Sequence, residues 1–192
     1  MMTGWKLLVA AMAIAVAQIA FLGWVIVGRA SILQNGTEIL LKTQPVDPRD
    51  LFRGDYVRLG YSISVVPTNE ITDINGADAT VDGPIYALIS KQPDGYWTLV
   101  SASFSKPDQP VSPDQAVIQG HVDEGWSLNA DSSLTVLYGI ERFYVPEGDG
   151  LEIESDMRER TFGVLAAVDD DGVAQVKALM DGTTKLYEEP LY

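Results

Sequence analysis

The sequence predicts a mainly β protein: an N-terminal transmembrane helix followed by one antiparallel β-sandwich or barrel-like domain with one short α-helix. Three observations lead to this prediction. The chain has one long apolar segment near its N-terminus, then many short stretches in which apolar and polar residues alternate, and breaks rich in Gly, Pro and Asp between those stretches. Of the 192 residues, about 160 follow the apolar segment, a length that suits one compact domain rather than two.

The apolar segment covers residues 7–27, with Gln18 as its only strongly polar member. It is long enough to cross a bilayer as a helix, and Trp5 and Trp24 lie near its ends, where interfacial tryptophans are common. The alternative is a cleaved signal peptide with Gly28-Arg29-Ala30 as the cleavage site. Because the apolar part of a signal peptide is ordinarily only about 7–15 residues long, we predict an uncleaved membrane anchor.

The negative charge of the chain lies after this segment. All 27 acidic residues follow it, and the whole chain has a formal net charge of -14. Such a domain repels phosphate backbones, so nucleic acid is excluded as a partner. Lys and Arg are nearly balanced on the two sides of the segment, but a long domain is translocated largely regardless of flanking charge. We therefore predict a cytoplasmic tail and anchor over residues 1–29, a stalk over 30–36, and an extracytoplasmic β-rich domain over 37–192.

Composition also limits the chemistry of the domain. The chain has no cysteine, which rules out disulfides, thiol catalysis and thiolate metal sites. His121 is the only histidine and there is no G-x-S-x-G motif, so a Ser-His-Asp hydrolase has little support. Two acidic turns, at residues 147–150 and 169–172, lack the ligand spacing of an EF-hand, and we interpret them as solvated hairpin tips. We predict no cofactor and no metal site, and the residues do not establish an enzyme.

Alternation places the strands, and turn residues separate them. The stretch from Thr68 to Gly83 is polar and rich in Asn, Asp and Gly, so we predict a long connection with one short helical turn. The only helix of the domain is predicted over 151–160, where Glu154 and Arg158 have the i,i+4 spacing of an ion pair. The predicted strands cover residues 37–43, 56–63, 85–90, 96–100, 115–122, 133–144, 162–168 and 173–179, with an edge strand over 183–187.

A proline-braced loop with five charges of both signs precedes the strand over 56–63, whose odd-numbered residues form an apolar face. Pro45 and Pro48 fix φ and keep this loop from becoming helical. Carboxylates that cap backbone N–H groups, and arginines that bridge them, give the loop a structural role. Docking on a partner protein is a second interpretation, and catalysis is a third. The charged residues are Asp47, Arg49, Asp50, Arg53 and Asp55.

A second segment, residues 138–150, combines aromatic and charged residues before a Pro- and Gly-rich break. Under strict alternation the even-numbered residues share one face, and Glu141 lies on the other face with Phe143. A carboxylate on an apolar face needs a partner, so we predict an ion pair between Glu141 and Arg53 or Arg58, with a water-exposed position as the alternative. The candidate residues are Tyr138, Glu141, Arg142, Tyr144, Pro146 and Glu147.

Both segments resemble those of a named family. Residues 138–150 are similar to its second recurring segment, although the family usually has Tyr-Phe where this chain has Phe143-Tyr144. The resemblance covers residues 37–182. The family is GDYXXLXY, and its signature Gly-Asp-Tyr-x-x-Leu-x-Tyr is matched at every position by Gly54, Asp55, Tyr56, Leu59 and Tyr61.

This resemblance implies a single-span protein of the bacterial inner membrane, with a periplasm-facing C-terminal domain and no assigned activity. It also implies a polytopic inner-membrane protein as partner, since members tend to be encoded beside one. Our first hypothesis is a noncatalytic accessory subunit that docks on this partner through residues 47–55 and 138–147. The alternatives are a hydrolase that uses Asp50, Asp55 and Glu141 as general acid and base, and a module that binds a small ligand or a cation.

Overall fold

The fold is mainly β, as predicted. A computed structural model describes residues 4–44, 56–73, 80–107, 112–127, 132–144 and 162–188. They form one long helix, α1 (Gly4–Asn35), two five-stranded antiparallel sheets and a two-stranded ribbon. The strands are β1 (Thr37–Gln44), β2 (Tyr56–Arg58), β3 (Gly60–Tyr61), β4 (Val65–Pro67), β5 (Thr80–Lys91), β6 (Trp97–Ser103), β7 (Gln115–Ser127), β8 (Ser133–Leu137), β9 (Arg142–Tyr144), β10 (Gly163–Val168), β11 (Ala174–Asp181) and β12 (Thr184–Glu188).

The first sheet has the strand order β12-β11-β10-β1-β3, and the second has the order β4-β8-β7-β5-β6. Strands β2 and β9 pair with each other and form the ribbon. Turn residues explain two of the neighbouring pairs directly, because β5 and β6 meet across Asp94-Gly95 and β10 and β11 meet across residues 169–172. Gly95 and Gly172 both have a φ of 88°, a left-handed conformation that glycine adopts readily.

The core of the domain lies between the two sheets. In β1, Ile39 and Leu41 are buried and their neighbours in the strand are more exposed. In β5, Ile85, Ala87 and Ile89 show the same alternation. Alternate side chains of a strand point to one face, so each sheet supplies one apolar face. Buried residues of both sheets belong to one hydrophobic cluster, and the sheets therefore pack as a β-sandwich.

Helix α1 is long and apolar enough to cross a membrane. Its residues 11–29 are exposed, whereas Leu33, near its C-terminal end, is only 3% exposed because it packs on the domain. The chain then enters β1 within two residues of the end of the helix. Residues 30–35, predicted as a stalk, are therefore the last turns of α1, since burial of Leu33 against the domain favours continuation of the helix.

The largest departure from the predicted strands is in residues 133–144. We predicted one strand, but β8 ends at Leu137 and β9 begins at Arg142. Between them Gly139 has a φ of 79°, which residues with a side chain rarely adopt. This turn directs the chain out of the second sheet and into the ribbon with β2.

Other differences are smaller. Strands β5 and β7 extend beyond their predicted bounds because they pair with each other as far as Thr80 and Ser127. The predicted helical turn in the connection after Pro67 is a 3-10 turn over Thr68–Glu70. The helix predicted over 151–160 lies outside the described residues.

Candidate functional site

The two sequence motifs meet in the fold. Strands β2 and β9 pair antiparallel, so that Tyr56 lies opposite Tyr144 and Arg58 lies opposite Arg142. The ladder continues beyond β2, where the Leu59 N–H donates to the Glu141 carbonyl at 2.8 Å. Segments about eighty residues apart in the chain are thus held together by backbone hydrogen bonds. We call residues 56–61 and 138–144 the motif junction.

Two signature residues of the first motif belong to the core. Leu59 and Tyr61 are 2% and 1% exposed, as the alternation predicted. The Tyr61 hydroxyl donates to the Ile140 carbonyl at 2.5 Å. A buried phenol needs a hydrogen-bond partner, and here the backbone of the second motif supplies it. The signature tyrosine therefore has a structural role that joins the motifs.

A second buried tyrosine makes the reciprocal contact. Tyr138, from the second motif, donates its hydroxyl to the Ile63 carbonyl, just after β3, at 2.7 Å. Its ring lies above Gly120 of β7, where an added Cβ would be 3.0 Å from the ring and even closer to Val136. Gly120 is thus a residue of this site that is not among the candidates predicted from the sequence. Its position inside an alternating strand pattern, where glycine often marks a close approach, could have indicated it.

Glu141 interacts with backbone rather than lying on an apolar face. One carboxylate oxygen accepts the Tyr138 N–H at 2.5 Å and so closes the turn around Gly139. The predicted strict alternation is wrong here, because Ile140 is buried while Arg142 is exposed. Arg53 and the side chain of Arg58 lie outside what the structure describes, so the predicted ion pair with Glu141 stays a prediction.

The electrostatics of the junction favour neutral tyrosines. Burial raises the pKa of Tyr61 well above its usual value, and the nearby Glu141 carboxylate raises it further. The same two causes, in the same order, raise the pKa of Tyr138. Both phenols therefore stay protonated hydrogen-bond donors throughout the neutral pH range.

The ends of the two charged segments lie side by side. Residues 45–55 connect Gln44 at the end of β1 to Tyr56, and residues 145–161 connect Tyr144 to Phe162. Thr43 donates from its N–H and its hydroxyl to the Phe162 carbonyl, at 3.0 and 2.8 Å. The pairing of Tyr56 with Tyr144 joins the other two ends. Gln44 also pairs with Gly60, four residues after Tyr56. Both segments therefore leave the described fold at the same end of the domain.

The remaining candidate residues fall into two groups. Arg142 is exposed on β9, and Tyr56 and Tyr144 are placed only by the register of the ribbon. The other predicted site residues lie outside the described residues: Asp47, Arg49, Asp50, Arg53, Gly54, Asp55, Pro146 and Glu147.

Within the described ranges, no three His, Asp or Glu side chains are grouped so that they could hold a metal ion. His121 is exposed on β7, beside Pro84 and Leu137 of the neighbouring strands. Asp73 accepts hydrogen bonds from the Phe104 and Ser105 N–H groups at 2.9 to 3.0 Å, so its carboxylate braces a loop.

Comparison with known proteins agrees with the motif. A search of the curated proteins and a search of the solved structures found no match. The model of one family, described as GDYXXLXY protein, matches residues 18–179, which include the end of α1 and most of the two sheets. The chain therefore belongs to the GDYXXLXY family.

Proposed function

We propose that this protein is a noncatalytic envelope protein of the bacterial inner membrane, an accessory subunit that docks on a polytopic membrane protein. Helix α1 is its single membrane span, and the domain from β1 onward faces the periplasm. Residues 47–55 and 138–147 make the contact with the partner.

The observation that carries this proposal is the shared end of the two motif segments. The strand ends at Gln44 and Phe162 are neighbours, and so are those at Tyr56 and Tyr144. A docking surface has to present its residues together, and the neighbouring ends of the two segments support such an arrangement. The charges of residues 47–55 then contribute mainly to specificity and to the rate of association.

The contacts inside the junction favour a scaffold over an acid–base site. The hydroxyls of Tyr61 and Tyr138 both donate to backbone carbonyls, and the Glu141 carboxylate accepts a backbone N–H. Groups engaged in this way build a rigid platform. The alternative in which Glu141 acts as a general acid or base would require that carboxylate to leave the turn it closes.

The position of the junction limits the shape of the partner. Strand β1 begins at Thr37, two residues after the end of α1, and runs to Gln44, and eight extended residues span about 24 Å. The docking end therefore lies about that distance from the end of the helix. The partner needs a periplasmic portion that reaches it, in addition to its membrane-spanning part.

A pull-down from native membranes in mild detergent tests the proposal. The full-length protein is compared with a variant carrying Arg53→Glu and Asp55→Lys. The matched control carries Lys185→Glu and Glu188→Lys, an exposed ion pair of 2.7 Å on β12. Both double variants exchange one cation and one anion, so both keep the net charge. A thermal melt of each establishes that the domain is folded.

We expect one stoichiometric polytopic protein with the wild type and the control, and a loss of at least about tenfold with the Arg53→Glu, Asp55→Lys variant, since like charges at an interface cost several kcal/mol. Full retention by the folded Arg53→Glu, Asp55→Lys variant would exclude docking through residues 47–55. Failure of the wild type to capture such a protein would contradict the docking proposal and favour ligand binding or catalysis by the isolated domain.

A further inference from the structure

The turn between β10 and β11, residues 169–173, lies at the end of the first sheet where α1 enters the domain. We call it the basal tip. It directly follows Val168, the last residue of β10, which pairs with Thr37 at the start of β1. Gly36, between α1 and β1, lies against the same residue, and a Cβ added to it would be 2.9 Å from the Val168 carbonyl oxygen. The basal tip therefore adjoins the point where α1 enters the domain.

The joint between α1 and the domain has little freedom. The Gly36 N–H donates to the Ile32 carbonyl at 2.9 Å, and an added Cβ at Gly36 would be 2.6 Å from that carbonyl oxygen. Leu33, the residue after Ile32, is buried against the domain. Reorienting the helix would expose Leu33 and break this close packing, so α1 fixes the orientation of the two sheets.

The joint also lies close to the apolar part of the helix. From Arg29, the first charged residue after the apolar segment, to Asn35, an α-helix rises about 9 Å. The headgroup layer on each side of a bilayer is about 5–8 Å thick. With α1 across a membrane, the base of the domain is therefore at the outer edge of the headgroups rather than at the end of a long spacer.

The basal tip is a braced turn. One carboxylate oxygen of Asp169 accepts the N–H groups of Asp171 and Val173 at 3.0 and 2.8 Å. The Gly172 carbonyl accepts the Gln119 N–H of β7 at 2.8 Å, which ties the tip to the second sheet. Gly172 is buried by this contact, whereas Asp171 is exposed, as expected for a solvated hairpin tip, and so is Val173, at 40%.

We infer that the basal tip lies against the lipid headgroups and that the domain stands in one orientation, with the motif junction directed away from the bilayer. This inference rests on α1 spanning the membrane, and not on the docking proposal. The tip has three carboxylates, Asp169, Asp170 and Asp171, and among the ion pairs of the described residues one involves the tip, Lys106 with Asp171 at 2.8 Å. Its excess negative charge favours the ammonium groups of zwitterionic lipids and disfavours an anionic surface.

Quenching by spin-labelled headgroups tests the orientation. The chain has no cysteine, so Asp170→Cys and Thr183→Cys each create a unique labelling site in the full-length protein. Both positions are exposed turns at opposite ends of β11, an eight-residue strand that spans about 24 Å. Each fluorophore-labelled protein is placed in phosphatidylcholine nanodiscs with and without a headgroup spin label.

We expect quenching several-fold stronger at position 170 than at position 183. Equal quenching at the two positions, or stronger quenching at 183, would overturn the inference. Absence of quenching at both, with protein released from the discs, would refute the membrane span on which the inference rests and would leave the pull-down result unaffected.

Two further measurements test whether the joint fixes the orientation of the domain and whether the charge of the tip matters. Gly36→Val forces the joint open, and we expect it to reduce the difference between the two positions while the domain stays folded. Replacing part of the phosphatidylcholine with phosphatidylglycerol should weaken quenching at position 170. A difference unchanged by Gly36→Val would contradict the fixed joint, and quenching unaffected by the anionic lipid would contradict the charge argument.

Discussion

At the scale of single residues, the motif junction depends on two buried phenols. The Tyr61 hydroxyl donates to the Ile140 carbonyl, two residues after Tyr138, and the Tyr138 hydroxyl donates to the Ile63 carbonyl, two residues after Tyr61. Phenylalanine would fill the same space but leave a buried carbonyl without its donor, which costs about 1–3 kcal/mol. Positions 61 and 138 therefore require the tyrosine hydroxyl as well as the aromatic ring.

The raised pKa of both phenols predicts an alkaline loss of stability. Above about pH 10, the ordinary tyrosine pKa, the unfolded chain releases protons that the native protein retains. The free energy of unfolding should then fall by about 1.4 kcal/mol per pH unit for each of Tyr61 and Tyr138. Below that pH both states keep these protons, so the two groups add no pH dependence.

Urea unfolding of the full-length protein in mild detergent, followed by tryptophan fluorescence, measures this slope. Trp97 is buried in the core and reports on the domain. Each single variant, Tyr61→Phe or Tyr138→Phe, should lose one tyrosine's share of the slope, and the double variant should lose both. The same slope in the wild type and the double variant would show that these phenols do not carry the effect.

The sequence predicted the burial of residues in this site better than their contacts. Alternation over 56–63 placed Leu59 and Tyr61 on the apolar face, and both are buried. The alternation fails at Glu141. Its carboxylate accepts the N–H of Tyr138, three residues earlier, and the resulting turn ends the strand and changes which side chains face the core. Such a local contact competes with strand pairing, and a hydropathy pattern does not contain it.

At the scale of elements, the contact between β7 and β8 depends on a missing side chain. Gly120 lies between Val136 and Tyr138, and an added Cβ would be closer to the Val136 side chain than carbon atoms can approach. Gly120→Ala should therefore destabilise the domain by about 1–3 kcal/mol through overpacking. Urea unfolding, as above, measures the change.

A double-mutant cycle distinguishes overpacking from a general effect of alanine in the strand. Val136→Ala removes the nearest atoms and should by itself lower stability, because Val136 is completely buried. In that background we expect Gly120→Ala to cost much less than in the wild type. Additive free energies for the two changes would mean that the Gly120–Val136 contact is not the cause.

The pairing of elements was only partly predictable from sequence. The hairpins β5–β6 and β10–β11 follow from their turn residues and short connections. The ribbon of β2 and β9 does not, since its partners are separated by about eighty residues and share no turn. Long-range pairs of this kind are set by the packing of the whole core, which a local pattern does not specify.

At the scale of the whole molecule, the membrane-proximal features and the motif segments lie at opposite ends of the domain. Helix α1 and the basal tip lie at one end of β1, and both motif segments leave the described fold at the other end. Composition and hydropathy predicted the long apolar helix and the β-rich domain. They did not predict that the last turns of α1 pack on the domain, because burial of Leu33 requires a surface formed by distant strands.

Residues 47–55 and 138–147 are proposed to contact a polytopic membrane protein. Photo-crosslinking in intact cells tests this proposal most directly, with a photoreactive residue in place of Arg142 on the exposed side of β9 and, as the control, in place of Thr183 at the turn after β11. We expect one specific adduct with a polytopic membrane protein from position 142 and none from position 183. No adduct from position 142, or the same adduct from both positions, would contradict the proposal.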